Sequence, residues 1–286
     1  MNPQIMDLAN EYKNGLLDRR EFLKKLALLA GGTAAANALL LVLENSNVLA
    51  QVVAKDDPRL QTEMISYPAE NGEMQAYFAK LRGNDKRPGV IVIHENRGLN
   101  PHTEDVARRV ALEGYLAIAP DALSPFGGTP ANPDEAGPLF KKLDGPSNIK
   151  NFVAAVQYLK THPQSTGKVG CMGFCWGGGV TNQVAVNAPD LAAAVPFYGI
   201  QPAVEDIPKI KASMLIHYAG QDERINAGIE AFEAALKKAS VEYRIFMYEG
   251  AGHAFFNDTN PSRYNREAAH LAWQRTIQFF QEKLKT

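Results

Sequence analysis

A cysteine inside a glycine-rich pentapeptide is the residue in this sequence whose setting most favours chemistry. Cys175 is the centre of Gly173-Phe174-Cys175-Trp176-Gly177, where the pattern predicts that a strand ends and a helix begins. A sharp strand-to-helix turn exposes its central side chain, and small flanking residues relieve the crowding there. The helix dipole favours a thiolate at this position, and the backbone N–H of Trp176 would face a developing oxyanion. The segment predicts a thiol nucleophile; the alternative is a turn around a buried, inert cysteine.

An acid and a histidine follow Cys175 in the order used by nucleophile–acid–histidine hydrolases. Asp222 follows a predicted strand at 213–218, and His253 follows a predicted strand at 243–248 through a glycine-rich loop. A histidine must exchange protons during acyl transfer, and a carboxylate must hold its tautomer. Glu223 is the rival for the acid. The other histidines suit packing or surface positions, with His217 expected in the core and the remainder at His94, His102, His162 and His270.

A second carboxylate is expected at the same edge of the fold. Glu95 follows the apolar run Gly89–His94, and the backbone N–H of Asn96 is the expected second oxyanion donor. A carboxylate beside a thiol can take its proton, although a lone glutamate in a loop is usually a solvated charge. His94 and Glu95, with His102 nearby, raise a metal site as an alternative. It is not expected, because no third ligand has a recognised spacing relative to His94 and Glu95. We therefore predict no metal and no cofactor.

The elements that must position these residues alternate between strand and helix. Alternation of this kind predicts an α/β fold with a mostly parallel sheet and helices on both faces, and sites at the carboxyl ends of the strands. Residues 124–138, rich in Pro, Gly, Asn and Ser, predict a long loop. The predicted strands are 64–68, 74–81, 89–94, 115–119, 168–174, 192–198, 213–218 and 243–248; the predicted helices are 103–113, 149–161, 176–187, 227–238 and 263–283.

Composition excludes several classes of protein. The 286 residues carry a formal net charge of -1, so no bulk charge favours nucleic acid or anionic lipid. The two cysteines, Cys171 and Cys175, are too few for a disulfide scaffold. On an extended strand their Cα atoms would lie about 13 Å apart, too far for a disulfide. Cys171 is therefore expected to be a core residue.

The N-terminus predicts an export signal over residues 1–50, followed by a catalytic domain over residues 51–286. The segment resembles a twin-arginine signal, which implies the twin-arginine export machinery as a partner and a periplasmic or secreted product. The matching residues are Arg19, Arg20, Phe22, Leu23 and Lys24, with a departure at Asp18. A mildly apolar stretch follows at 26–43, and small residues at 48–50 form a plausible cleavage site before Gln51. The alternatives are an uncleaved membrane anchor and an amphipathic surface helix.

Residues from about 60 to 285 resemble the dienelactone hydrolase family (carboxymethylenebutenolidase-like). The resemblance rests on the cysteine turn, Gly-Lys-Val-Gly at 167–170, Glu95, Ala-Pro-Asp at 119–121 and Ala-Gly-His at 251–253. It implies an α/β-hydrolase fold and hydrolysis of an ester or lactone. Cys175 would be the nucleophile, His253 its base and Asp222 the orienting acid, while Glu95 would activate the thiol when substrate arrives.

One departure from the family pattern bears on the substrate. The best-known family members carry an arginine four residues after the catalytic histidine that helps to bind a substrate carboxylate, and this chain has Asn257 there. The loop after Asp121 also lacks a matching arginine. A neutral ester is therefore as consistent with the sequence as a carboxylated dienelactone. A non-catalytic exported protein that binds a small ligand, and a thioester or peptide hydrolase with the same triad, remain alternatives.

Overall fold

The computed structural model describes residues 52–70 and 72–285, together with residues 4, 5, 8, 11, 12, 17, 19–33, 35 and 36. The chain divides into two compact units, Met1–Ala54 and Lys55–Thr286. The division lies close to the predicted boundary, while the role of the first unit as an export signal stays a prediction.

The first unit contains helix α1, Arg19–Ala30, which begins at the paired arginines. Phe22 and Leu26 are fully buried in a small apolar cluster inside this unit. No helix in the described part of the chain is both long and apolar enough to cross a membrane. The predicted cleavage site at 48–50 and the part of the apolar stretch beyond residue 36 lie outside the described residues.

The second unit is built on one eight-stranded sheet. Its strands are β1 (Leu60–Ala69), β2 (Gly72–Leu81), β3 (Arg87–Ile93), β4 (Leu116–Pro120), β5 (Ser165–Phe174), β6 (Ala193–Phe197), β7 (Ser213–Gln221) and β8 (Tyr243–Gly252). The strand order is β1-β2-β4-β3-β5-β6-β7-β8. Pairings of β1 with β2 and of β2 with β4 are antiparallel, and the rest are parallel. The predicted mostly parallel sheet is confirmed.

Helices cover both faces of this sheet. They are α2 (Pro101–Leu112), α3 (Pro133–Phe140), α4 (Gly145–Thr161), α5 (Trp176–Asn187), α6 (Glu223–Asn226), α7 (Ile229–Lys238) and α8 (Arg266–Leu284). Helices α4, α5 and α7 share one apolar core with the sheet. On the opposite face, α8 packs so closely that a Cβ on Gly170 would lie 2.9 Å from the Phe280 ring. Burial on both faces explains why β3 and β4 are continuous apolar runs.

One expectation about secondary structure was wrong. The segment predicted as a loop at 124–138 contains a 3₁₀ turn and most of α3. Asn132 caps α3 by accepting a hydrogen bond from the N–H of Asp134, and a proline follows at the first helical position. The same polar residues that favour a loop thus begin this helix. The helix predicted at 227–238 is confirmed as α7, which begins two residues later, and a separate short helix, α6, precedes it.

Candidate active site

The turn at Cys175 is strained and depends on its glycines. Cys175 has φ 55° and ψ −113°, a left-handed backbone conformation that bulky residues rarely adopt, and it immediately precedes α5. A Cβ on Gly173 would lie 2.3 Å from the Gly177 carbonyl oxygen, and a Cβ on Gly177 would lie 2.4 Å from the His94 carbonyl oxygen. These contacts bring the start of α5 against the end of β3. The pentapeptide therefore forms the sharp turn that the sequence predicts.

The resting thiol of Cys175 is protonated at neutral pH. Burial, followed by the negative charge of Glu95, raises the pKa of Cys175 to about 11, while the backbone N–H of Trp176 acts in the opposite direction. The start of the helix thus favours the thiolate, as expected, but desolvation and the nearby carboxylate outweigh this effect.

His253 and Asp222 form a hydrogen-bonded pair at the ends of two neighbouring strands. Asp222 directly follows β7 and is buried, and His253 directly follows β8. The His253 Nδ1 lies 2.5 Å from Asp222 Oδ2. Because an ionised carboxylate only accepts hydrogen bonds, Nδ1 carries the proton and Nε2 is left as the acceptor. This is the tautomer required of a base in acyl transfer.

Glu95 lies at the end of β3 and is held by Asn257. The Asn257 Nδ2 donates to Glu95 Oε2 at 2.9 Å, and Asn257 Oδ1 accepts from both the backbone and the hydroxyl of Thr259. Glu95 Oε1 is buried and has no hydrogen-bond partner among the described residues. Asn257 is therefore oriented as a donor to Glu95, a role that the sequence alone did not reveal.

His94 supports the backbone on which Glu95 and Asn96 lie. Its ring is fully buried and stacks on Trp176, with centroids 5.4 Å apart and planes 9° apart. The Nδ1–H donates to the Glu95 carbonyl at 2.6 Å, and Nε2 accepts from the Ala122 N–H at 3.1 Å. Both ring nitrogens are therefore occupied by backbone groups. Asn96 follows at the same edge of the sheet, and its donor role stays a prediction.

Two further histidines, His102 and His217, are held by side chains away from the Cys175 thiol. His102 Nδ1 pairs with Asp258 at 2.9 Å, and His217 is fully buried as expected, between hydroxyls of Thr276 and Tyr248. Within the described residues, no group of three or more His, Cys, Asp or Glu side chains is arranged to hold a metal ion. Cys171 is buried and free, and burial raises its pKa to about 12.

Two charged or polar groups beside the thiol were missed in the sequence. Arg224, two residues after Asp222, is exposed, and its charge lowers the pKa of the Cys175 thiol against the larger effects of burial and Glu95. Tyr198 lies at the end of β6, with its ring centroid 5.1 Å from that of His253. The predicted strand ends at Tyr198, and its place at the edge where the other site residues emerge is the signal that was available.

Comparison with known proteins agrees with this geometry. The family model described as "Dienelactone hydrolase family" matches residues 74–284. The chain belongs to the dienelactone hydrolase family. It is therefore a hydrolase of the α/β-hydrolase fold, as the resemblance implied.

Individual relatives match over nearly their whole length. A protein named "Putative carboxymethylenebutenolidase" from Synechocystis is 33% identical over 244 residues, covering 79% of this chain and 98% of the relative. Another of that name from Escherichia coli K12 is 32% identical over 254 residues, covering 83% and 93%. A crystal structure titled "Putative Dienelactone Hydrolase" from Klebsiella pneumoniae superposes with a TM-score of 0.69 at 29% identity, covering 77% of this chain and 98% of the other.

Proposed function

We propose that this protein hydrolyses an ester or lactone, with Cys175 as nucleophile, His253 as base and Asp222 as the orienting acid. The observation that carries the proposal is the Nδ1-to-carboxylate pair of His253 and Asp222 at the strand edge where the strained turn presents Cys175. Three observations support it: the order of Cys175, Asp222 and His253 along the chain, the Nδ1–H tautomer of His253, and a turn at Cys175 in which Gly173 and Gly177 leave no room for a Cβ. No cofactor is part of the proposal.

Acylation begins with loss of the thiol proton. The charge of Glu95 raises the pKa of the Cys175 thiol, and Glu95 accepts this proton when substrate occupies the site. The thiolate attacks the acyl carbon, and the oxyanion receives hydrogen bonds from the N–H groups of Trp176 and Asn96. Collapse of the tetrahedral intermediate breaks the acyl–oxygen bond, and the leaving oxygen takes up the proton held by Glu95. A thioester at Cys175 remains.

Deacylation uses the other carboxylate and the histidine. His253 Nε2 removes a proton from water, the resulting hydroxide attacks the thioester, and the carbon–sulfur bond breaks. The imidazolium is stabilised by Asp222 and returns its proton to the Cys175 thiolate. The enzyme regains its starting protonation state, and the products are a carboxylic acid and an alcohol or enol.

The substrate class follows from the partner of Glu95. Asn257, a neutral donor, holds Glu95 Oε2. We therefore favour a small ester or lactone that does not need a carboxylate bound at Asn257. Arg224 is the cation positioned to favour an anionic substituent elsewhere on the substrate.

The cellular location forms a separate part of the proposal. Arg19 and Arg20 begin helix α1 and are followed by Phe22, Leu23 and Lys24, as in a twin-arginine signal. The protein would be exported to the periplasm or secreted, or be retained as an anchored form if the segment is not cleaved. Fractionation of cells expressing the wild type and an Arg19→Lys, Arg20→Lys variant tests this. Equal distribution of both proteins would contradict it.

Loss of the thiol tests the catalytic proposal. Cys175→Ala should abolish hydrolysis of activated esters and of lactones with and without a carboxylate, while its urea unfolding midpoint stays near that of the wild type. Cys171→Ala removes the other thiol and should keep the activity. Retained hydrolysis in Cys175→Ala would overturn the proposal. Faster turnover of thioester or amide analogues than of esters would instead assign the triad to that chemistry.

A further inference from the structure

Tyr198 carries a buried hydroxyl whose proton has no acceptor among the described residues, while the backbone N–H of Phe256 acts on its oxygen. Its side chain is fully buried, and its backbone has φ 37°, a strained conformation for a tyrosine. The backbone N–H donates to the His217 carbonyl at 2.7 Å, which fixes this conformation. Strain of this kind is retained where the surrounding structure enforces it, and it is common at functional sites.

The surroundings of Tyr198 are those of the candidate active site. Its ring lies 5.1 Å from the imidazole of His253, and Gly199 packs against Gly178 at the start of the helix that follows Cys175. A Cβ on Gly199 would lie 2.2 Å from the Gly178 carbonyl carbon, so the strand end and the helix are held together. The phenol is therefore fixed rigidly relative to the nucleophile.

Glu95 Oε1 is the complementary atom. It is a buried acceptor without a partner among the described residues, while the Tyr198 hydroxyl is a buried donor without one. Leaving either group unpaired in the protein interior is energetically unfavourable. The negative charge of Glu95 acts on the phenol, after burial, to raise the pKa of Tyr198 well above its usual value, so the hydroxyl keeps its proton. A neutral phenol beside a carboxylate can only be the donor of such a pair.

We propose that Tyr198 is a positioning residue whose hydroxyl donates to a water that in turn donates to Glu95 Oε1, and that so holds the carboxylate against the Cys175 thiol. The Asn257 amide holds the other oxygen, Oε2. Glu95 is then fixed from two sides by neutral donors, which leaves its charge available to the thiol. This inference rests on the proposed function, because it assigns Glu95 to activation of Cys175.

The charged and titratable groups around this pair are few. The pKa of Cys175 responds to the charges of Glu95, Arg224 and Asp222 and to the Trp176 backbone N–H. The pKa of the Tyr198 phenol responds to the charges of Glu95, Cys175 and Asp258 and to the Phe256 backbone N–H. His253 faces the phenol ring, and His94 binds the backbone of Glu95. A change confined to the phenol hydroxyl leaves all of these groups in place.

Alkylation of Cys175 by iodoacetamide at pH 9, followed by intact mass, tests the inference without a substrate. Glu95→Gln removes a charge that opposes thiolate formation, so labelling should become about two- to threefold faster. Tyr198→Phe should also make labelling faster, because the Glu95 carboxylate is then no longer held close to the thiol. In the Glu95→Gln background, Tyr198→Phe should add nothing. Ester hydrolysis should move the opposite way, with kcat/KM about tenfold lower in Tyr198→Phe.

Tyr115→Phe is the matched control. Tyr115 is also buried, with a hydroxyl that has no partner among the described residues, but it directly precedes β4, at the opposite edge of the sheet. It should change neither labelling nor hydrolysis. An unchanged or slower labelling rate in Tyr198→Phe, or an equal effect with and without Glu95, would overturn the inference. Because labelling is independent of turnover, a lack of hydrolytic activity in the wild type would refute the proposed function alone.

Discussion

Replacing Gly177 with alanine perturbs the contact between the nucleophile helix and the strand that carries Glu95. The new Cβ would lie 2.4 Å from the His94 carbonyl oxygen and 2.6 Å from that of Ile93, where ordinary contact begins at 3.4 Å. Both neighbours are backbone atoms, so the helix and strand must separate by roughly 1 Å, the difference between 3.4 and 2.4 Å. Overpacking of this kind costs about 1–3 kcal/mol of unfolding free energy.

The same separation should damage catalysis more than stability. A misplacement of about 1 Å between reacting groups costs on the order of 100-fold in rate. Urea unfolding and kcat/KM for an activated ester measure the two effects. Gly137→Ala is the control, since Gly137 lies inside helix α3 and an added Cβ would meet no atom within 4 Å apart from its chain neighbours; it should leave kcat/KM unchanged. Wild-type activity in Gly177→Ala would refute the account of the turn.

Three further predictions concern the acid, the nearby cation and pH. Asp222→Asn should lower kcat about 10³- to 10⁴-fold, because an amide no longer fixes the Nδ1–H tautomer of His253; a loss below tenfold in single-turnover assays would argue against the pair. Arg224→Gln should reduce kcat/KM for an anionic ester about threefold to tenfold relative to a neutral one, and equal effects on both would exclude its role in substrate preference. Burial lowers the pKa of His217 from its usual 6.5 to about 3, so between these pH values the unfolded chain binds a proton that the folded chain does not. The free energy of unfolding should therefore fall as the pH falls through that window. In urea titrations at successive pH values, a His217→Gln variant should show a weaker dependence of the unfolding free energy on pH.

Much of the fold could be predicted because its signals are local. Apolar runs such as 89–94 indicate burial on both faces, and the order of strands and helices restricts the sheet to a mostly parallel one. The site residues Cys175, Asp222 and His253 could be proposed because each follows a strand in the order used by hydrolases. Helix α3 was missed because a capping asparagine and a proline at a helix start have the composition of a loop.

The contacts that define the electrostatics of the site could not be predicted. Asn257 and Glu95 are separated by 162 positions in the chain, and only the packed fold brings the amide to the carboxylate. The raised pKa of Cys175 likewise depends mainly on burial, a property of the surrounding structure that a pentapeptide does not encode. Tyr198 joins the site because a strained turn after β6 directs its ring toward His253.

The acyl-enzyme is the species that tests the central claim most directly. The protein would be mixed with an activated ester, quenched in acid during turnover, digested and analysed by mass spectrometry. The account predicts that the peptide containing Cys175 gains the mass of the acyl group, and that the adduct accumulates in His253→Ala if acylation is allowed to proceed to completion. Product formation without acylation of Cys175, or an acyl group on another residue, would contradict it.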